Sequence, residues 1–227
     1  MSLIPHTIHC CWFGGKPLTV LARKCMDSWE KYLPGYHIIV WNERLFDVES
    51  SQYTREAYSC GKYAFVSDYV RLWALYYYGG VYMDTDVEVL KDLGGFMNFH
   101  AFSGFEQANY IPTGIMAAVP RHPWIERMLR CYRQRAFLKP DGTMDLSPNV
   151  VFMTELAEKE FGLKRGNETQ VLKDDVHIFS NDYFCPMVWE TREIKMTPNT
   201  HTIHHFAYSW NEPGITPILP VPRKPDA

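Results

Sequence analysis

Two aspartates, Asp84 and Asp86, close a short apolar run in the stretch YYYGGVYMDTDVEVL, Tyr76 to Leu90. In extended chain, side chains two apart leave the same face, so these carboxylates are expected to point together. Like charges that close need a cation between them, or one must give up its charge. A hard divalent ion, Mn²⁺ or Mg²⁺, suits them because it takes oxygen ligands and keeps positions for water or phosphate. Spacing excludes a calcium loop of the EF-hand type. Counting from Asp84, Val89 stands where that loop needs glycine, and Gly95 where it needs glutamate. A lone DxD is common, so the residues around it decide its meaning.

Upstream, SDYVR places Asp68 and Arg71 three apart, neighbours on one helix face. Read plainly, they form an intrahelical ion pair worth roughly 0.2–0.5 kcal/mol. The rest of that helix is strongly apolar, so the pair marks the place where it meets a cleft. An arginine there can grip phosphate or hydroxyl oxygens with its planar fork. Trp12, just before Gly14-Gly15, is either core or an aromatic face for a flat ligand. Late in the chain, THTIHHF carries His204 and His205. Adjacent strand residues face opposite sides, so one of the two is expected to reach the site; an ordinary packed or surface histidine is the plain alternative.

An α/β frame must position these groups. TIHCCWF, Thr7 to Phe13, reads as a strand, and Leu21, Cys25, Met26 and Trp29 recur at helical spacing over about 18–32. HIIVW, 37–41, is a short buried strand, and the strand–helix–strand order predicts parallel pairing. A second helix spans about 63–78 and ends at Gly79-Gly80, which tolerate positive φ. Val81–Met83 then delivers the DTD at a strand's C-terminal end, where open α/β sheets bind ligands. Further strands are expected at 101–105, 114–119, 176–179 and 200–206, and helices at about 123–136 and 149–161. No repeat or linker divides the chain, so one domain over 1–212 is expected, followed by a Pro-rich tail, 213–227.

Composition narrows the classes. The 227 residues are 46% hydrophobic and 22% charged, enough for one substantial core. A net charge of −3 without any basic block argues against nucleic acid as a partner. Aromatics at 15% suit a large aromatic core or a site for flat or sugar-like ligands. The six cysteines form no CxxC pair, which favours free thiols in a reducing compartment, the cytoplasm by default. The opening residues lack a signal-peptide pattern, and no run approaches the ~18 apolar residues of a membrane span.

Three blocks then converge. IPHTIHCCWFGG, FVSDYVRLWALYYYGGVYMDTDVEVL and IHHFAYSW, spanning about residues 4 to 210, together resemble the DXD-motif glycosyltransferases of family 32. Relatives of that family include bacterial capsular polysaccharide transferases, yeast mannosyltransferases and, further off, glucosylating bacterial toxins. The resemblance implies a GT-A fold of α/β class, with a central mixed, mostly parallel sheet flanked by helices. It also implies a divalent metal, a nucleotide-sugar donor (a UDP-sugar ahead of GDP-mannose) and transfer with retention of anomeric configuration. Asp68, Arg71, Asp84 and Asp86 become the expected catalytic set. Within it Asp86 coordinates the metal, Asp84 adds to the metal site or holds donor hydroxyls, and Asp68 and Arg71 hold the donor sugar and its phosphates. Trp12 is implied to stack on the base, Ser209 and Trp210 to touch the diphosphate, and His204 ahead of His205 to serve the metal.

Two positions stand apart. Tyr208 replaces a glycine common in bacterial relatives, and Asn149 can either hydrogen-bond a sugar or start a helix. The implied acceptor is a saccharide or a lipid-linked one, as in capsule or other polysaccharide biosynthesis. The expected location is cytoplasmic, with peripheral association at the inner membrane and no transmembrane segment. A non-catalytic sugar-nucleotide-binding protein on the same fold is the alternative. A phosphoesterase would need a second metal-ligand cluster, which the sequence lacks.

Overall fold

The computed structural model describes residues 2–106, 109–188 and 190–207. Strand β1 (Thr7–Cys11) lies between β2 (His37–Trp41) and β3 (Gly80–Met83) and runs parallel to both. Beyond β3 stand β6 (Ile115–Ala118), β5 (Ala101–Gly104), β8 (Val176–Phe179) and β7 (Gln170–Leu172), giving the order β2–β1–β3–β6–β5–β8–β7. Strand β6 is antiparallel to its neighbours β3 and β5, β8 is parallel to β5, and β7 is antiparallel to β8. Five of the seven strands therefore run one way, the mixed, mostly parallel sheet of a GT-A fold. A separate ribbon pairs β4 (Val87–Val89) with β9 (Thr202–His204).

Helices cover both faces of the sheet. On one side, α3 (Tyr63–Tyr78) and α4 (Pro123–Arg133) bury Val66, Val70, Trp124 and Met128 against Tyr82 and Met116. On the other, α1 (Val20–Tyr32) buries Trp29 with Ile8, Val81, Met83 and Val87. The side chains of β3 alternate between the two cores, as the period of a strand requires. Helix α1 also grips the ribbon: Trp29 Nε1–H donates to Val87 O at 2.7 Å, and Val89 N–H donates to Ser28 Oγ at 2.9 Å.

The polar segment before α3 holds a helix that spacing did not reveal, α2 (Gln52–Ser59), capped by Ser51. Only Tyr53, Thr54 and Ala57 of it are buried, too few and too polar to show as a stripe. Two short helices complete the described chain, α5 (Asn149–Leu156) and α6 (Asn181–Phe184). All six cysteines are free, and Cys10, Cys11, Cys25 and Cys185 are buried. No helix among the described residues is long and apolar enough to cross a membrane.

The reversal from α3 into β3 depends on its two glycines. Gly79 and Gly80 have φ of +64° and +108°. A Cβ on Gly80 would lie 2.5 Å from Thr7 O, and one on Gly79 would lie 2.6 Å from Pro120 Cδ. Buried His9 locks this turn to the sheet. Trp41 Nε1–H can only donate, so His9 Nδ1 accepts at 3.1 Å, and Nε2–H is left to donate to Gly79 O at 2.8 Å. Burial holds the His9 pKa below its ordinary 6.5.

The stability due to His9 is therefore complete above pH 6.5, where the unfolded chain is also neutral. It is lost as the pH falls below that value, by up to about 1.4 kcal/mol per pH unit. His9→Gln keeps a donor for Gly79 and removes the titration. In urea unfolding near pH 7 and near pH 5, that variant should lose less stability on acidification than the unmodified chain. Equal losses would remove His9 from the explanation.

Candidate metal and donor site

Strand β3 ends at Met83, and the chain turns sharply through Asp84 and Thr85 to Asp86. Val87 N–H donates to Asp84 O at 2.9 Å, closing the turn, and Asp84 N–H donates to Gly114 O at 2.8 Å. The two aspartates thus converge through a tight turn, which corrects the expectation of an extended segment. Asp86 is gripped from the far side, where its carbonyl accepts His205 N–H at 3.0 Å and its Oδ2 accepts Ala207 N–H at 2.8 Å. The ribbon pairs Val87 with His204, which brings His204 Nε2 to 3.3 Å from Asp86 Oδ1. Asp84, Asp86 and His204 each offer one ligand atom, all within 4.8 Å of one another. Gly114 makes this approach possible. A Cβ there would lie 2.7 Å from His204 Cε1 and 3.1 Å from Asp84 Oδ2.

Burial alone would raise the Asp86 carboxyl, but His204 outweighs it, and Asp86 is held down at about 2. Burial works against the imidazolium too, yet Asp86 lifts His204 well above its ordinary 6.5. The proton on His204 and a divalent cation are alternative counter-charges for the same carboxylates. Two carboxylate oxygens and one imidazole nitrogen fit Mn²⁺ or Mg²⁺, with the nitrogen favouring Mn²⁺.

Behind this cluster lies Arg71, on α3 and 4% exposed. Its Nη2 sits 2.8 Å from Asp68 Oδ1 and 3.5 Å from Asp84 Oδ1. Nη1 donates to Thr113 O at 2.6 Å and to Thr113 Oγ1 at 2.8 Å, and Nε donates to Ser67 O at 3.2 Å. The guanidinium lies over the Tyr82 ring, whose hydroxyl donates to Asp84 Oδ1 at 2.7 Å. The open fork expected toward phosphate is instead closed on the protein, because a buried guanidinium must satisfy its donors. Burial, reinforced by Asp84, pushes the Asp68 carboxyl up to about 7 despite Arg71.

These groups line one cleft of about 840 Å³ at the carboxyl edge of the sheet. Trp12 follows β1 at its rim, half-buried, with Nε1–H donating to Lys16 O at 2.6 Å. Asn149 opens α5 on another wall, both a helix start and a cleft residue. His205 turns away from the cluster, with Nε2 2.8 Å from Glu88 Oε2, so of the two histidines expected near the cation only His204 joins Asp84 and Asp86. Tyr208, Ser209 and Trp210 lie outside the described residues.

Sequence reasoning missed Thr113, Gly114 and Glu106. Glu106 is 7% exposed, stands just past the end of β5 and lines the same cleft. Burial, with Asp84 adding to it and His204 opposing, pushes its carboxyl up to about 7. The carboxyl-edge rule that located the DTD could also have located GFE after the predicted strand at 101–105.

A DxD turn at the carboxyl edge of such a sheet, facing the cleft of about 840 Å³, is the arrangement of a GT-A fold. Residues 19–106 match the family described as the glycosyltransferase sugar-binding region containing DXD motif. The chain is 29% identical over 112 residues to mannosyl phosphorylinositol ceramide synthase SUR1 of Saccharomyces cerevisiae, covering 48% of this chain and 28% of that protein. It is 25% identical over 142 residues to the CSH1 synthase of the same yeast, covering 57% and 35%. The match thus spans about a third or less of each yeast protein.

Among solved structures, the PaToxG glycosyltransferase superposes with a TM-score of 0.53 at 19% identity, covering 69% of either chain. Mouse xyloside xylosyltransferase 1 superposes with a TM-score of 0.50 at 12% identity, covering 90% of this chain and 98% of that one. The chain thus has the GT-A fold, and its residues 19–106 resemble the DXD-containing sugar-binding region of glycosyltransferases.

Gly114→Ala should push His204 and Asp84 apart while leaving the sheet in place. Its affinity for Mn²⁺, measured by calorimetry, should fall by about tenfold or more, equivalent to at least ~1.4 kcal/mol. Unchanged Mn²⁺ affinity with an intact fold would rule out this cluster as the ion site.

Proposed function

We propose that this chain is a metal-dependent glycosyltransferase. It moves a sugar from a nucleotide donor, a UDP-sugar ahead of GDP-mannose, to a saccharide or lipid-linked acceptor, with retention at the anomeric carbon. The observation that carries this reading is the Asp84–Asp86–His204 cluster, backed by Arg71 and opening on a cleft large enough for a sugar nucleotide. The yeast synthases' names join a mannosyl group to a ceramide lipid, which supports an acceptor with a lipid part. Polysaccharide assembly in the cytoplasm, at the inner membrane, is the setting that goes with it.

Transfer breaks the bond from the anomeric carbon to the diphosphate and forms one to an acceptor hydroxyl oxygen, whose proton leaves. Asp84, Asp86 and His204 hold the divalent ion, which when bound offsets charge building on the diphosphate. Arg71 fixes Asp68, Asp84 and Thr113 in place and adds a buried positive charge beside the reacting centre. Asp68 gives one oxygen to Arg71 and keeps the other for a donor hydroxyl. Trp12, its ring fixed through Lys16 O, offers a face for the base, a contact worth about 1–3 kcal/mol in stacked systems.

Purified protein with Mn²⁺ should slowly hydrolyse one preferred donor from a panel of UDP-glucose, UDP-galactose, UDP-N-acetyl sugars and GDP-mannose. NMR should show the released sugar in the donor's anomeric configuration. Asp86→Ala should lower that rate by about a hundredfold or more. Tight donor binding without turnover would move the assignment to a non-catalytic binding protein, and no binding across the panel would refute both readings.

A further inference from the structure

Past β9 the ribbon has no strand left to pair with the chain that leaves His204. Strand β4 starts at Val87, the partner of His204, so the peptide groups of His205, Phe206 and Ala207 need other partners. Their N–H groups turn to Asp86: His205 N–H donates to its carbonyl at 3.0 Å, and Ala207 N–H to its Oδ2 at 2.8 Å. Between them Phe206 has a φ of +46°, in the left-handed region that side-chain-bearing residues rarely adopt. A bend of this kind persists only where its surroundings hold it.

The carbonyls of the same two peptides show what holds it. Arg192 grips both, with Nη2–H donating to His205 O at 2.7 Å and Nη1–H donating to Phe206 O at 3.0 Å. The fixed planar fork of a guanidinium suits two consecutive carbonyls. Arg192 sits near the tip of a hairpin closed by Val188 N–H to Glu193 O at 2.8 Å and Lys195 N–H to Pro186 O at 3.0 Å. The foot of that hairpin is tied down separately. Thr197 Oγ1–H and Asn199 Nδ2–H both donate to Asp182 Oδ2, at 2.8 Å and 3.1 Å. The arm that carries Arg192 is thus anchored without help from the ion cluster.

We propose that Arg192 is a positioning residue for the divalent-ion site, acting through the backbone of residues 205–207. With Ala207 N–H held on Asp86 Oδ2, Oδ1 is the oxygen left facing His204, 3.3 Å from its Nε2. One oxygen of Asp86 then belongs to the backbone and the other to the ion. Loss of such an outer partner typically lowers metal affinity by about 10–100-fold. The proposal rests on Asp84, Asp86 and His204 being the ion site of the glycosyltransferase reading above. Charge and clamping predict opposite signs. A cation near a cation site repels the ion, so removing Arg192 as a mere charge would tighten binding. Removing it as a clamp loosens binding.

Calorimetry with Mn²⁺ alone compares the unmodified chain with Arg192→Gln, Arg192→Lys and Lys195→Met. Arg192 is exposed and already has a φ of +60°, so neither replacement adds backbone strain or a buried gap. Arg192→Gln should lose about tenfold in Mn²⁺ affinity. Arg192→Lys keeps the charge without the fork and should fall between the two. Lys195→Met takes a cation from the same hairpin, one paired with Glu193, and should stay within about twofold. At saturating Mn²⁺, electron paramagnetic resonance should show an altered zero-field splitting in Arg192→Gln and none in Lys195→Met. Unchanged or tighter Mn²⁺ binding in either Arg192 variant would overturn the inference. So would an equal loss in Lys195→Met, or weaker binding in Arg192→Gln with an unaltered spectrum. If the unmodified chain binds no Mn²⁺, the ion-site reading itself falls, and the clamp with it.

Discussion

The buried guanidinium of Arg71 is the constraint on which the site is built. A charge 4% exposed to solvent must be met by opposite charge and by hydrogen-bond acceptors, or the fold loses several kcal/mol, roughly 3–5 when one partner of a buried pair is removed. Here the partners come from three places: Asp68 and Ser67 on α3, Asp84 in the turn after β3, and Thr113 before β6. Thr113 passes the connection on to Asn149 at the start of α5. One side chain thereby sets the relative position of segments far apart in sequence. Lysine could not replace it, because an ammonium is a point charge without the planar array of donors.

The second support comes from the other face of the sheet. Helix α1 holds β4 through Trp29 and Ser28, and β4 holds β9, so His204 arrives beside Asp86 by strand register. The glycine reversal after α3, fastened by His9, brings β3 into line with β1 and leaves the DTD turn at the carboxyl edge. Carboxylates from the sheet and an imidazole from the ribbon then meet across the space that Gly114 leaves open. The two aspartates lie in a turn held between two strands packed in the core, and His204 lies on a strand, so the cluster does not rely on loop conformation alone.

Much of this was legible in the sequence because it is local. The spacing of SDYVR, the paired glycines and the DTD each report on neighbours within a turn or two, and the strand–helix–strand order foretold the parallel β1–β2 pair. What escaped depends on contacts between distant segments. Strand alternation said that one of His204 and His205 would reach the site, but only the register with Val87 chose His204. Arg71 looked like an open phosphate fork because the Thr113 groups that occupy it lie forty-two residues downstream. Thr113 and Gly114 carry no signature of their own, since their contacts with Arg71, Asp84 and His204 exist only once those segments are packed together.

The central claim is that the turn and the ribbon build one ion site beside a nucleotide cleft. Anomalous scattering from a crystal soaked with Mn²⁺ and UDP tests it most directly. A manganese peak bonded to Asp86 and His204, with the diphosphate beside it and the base against Trp12, is the predicted result. An empty cluster with the ion held elsewhere, or a nucleotide lying outside the cleft, would contradict it.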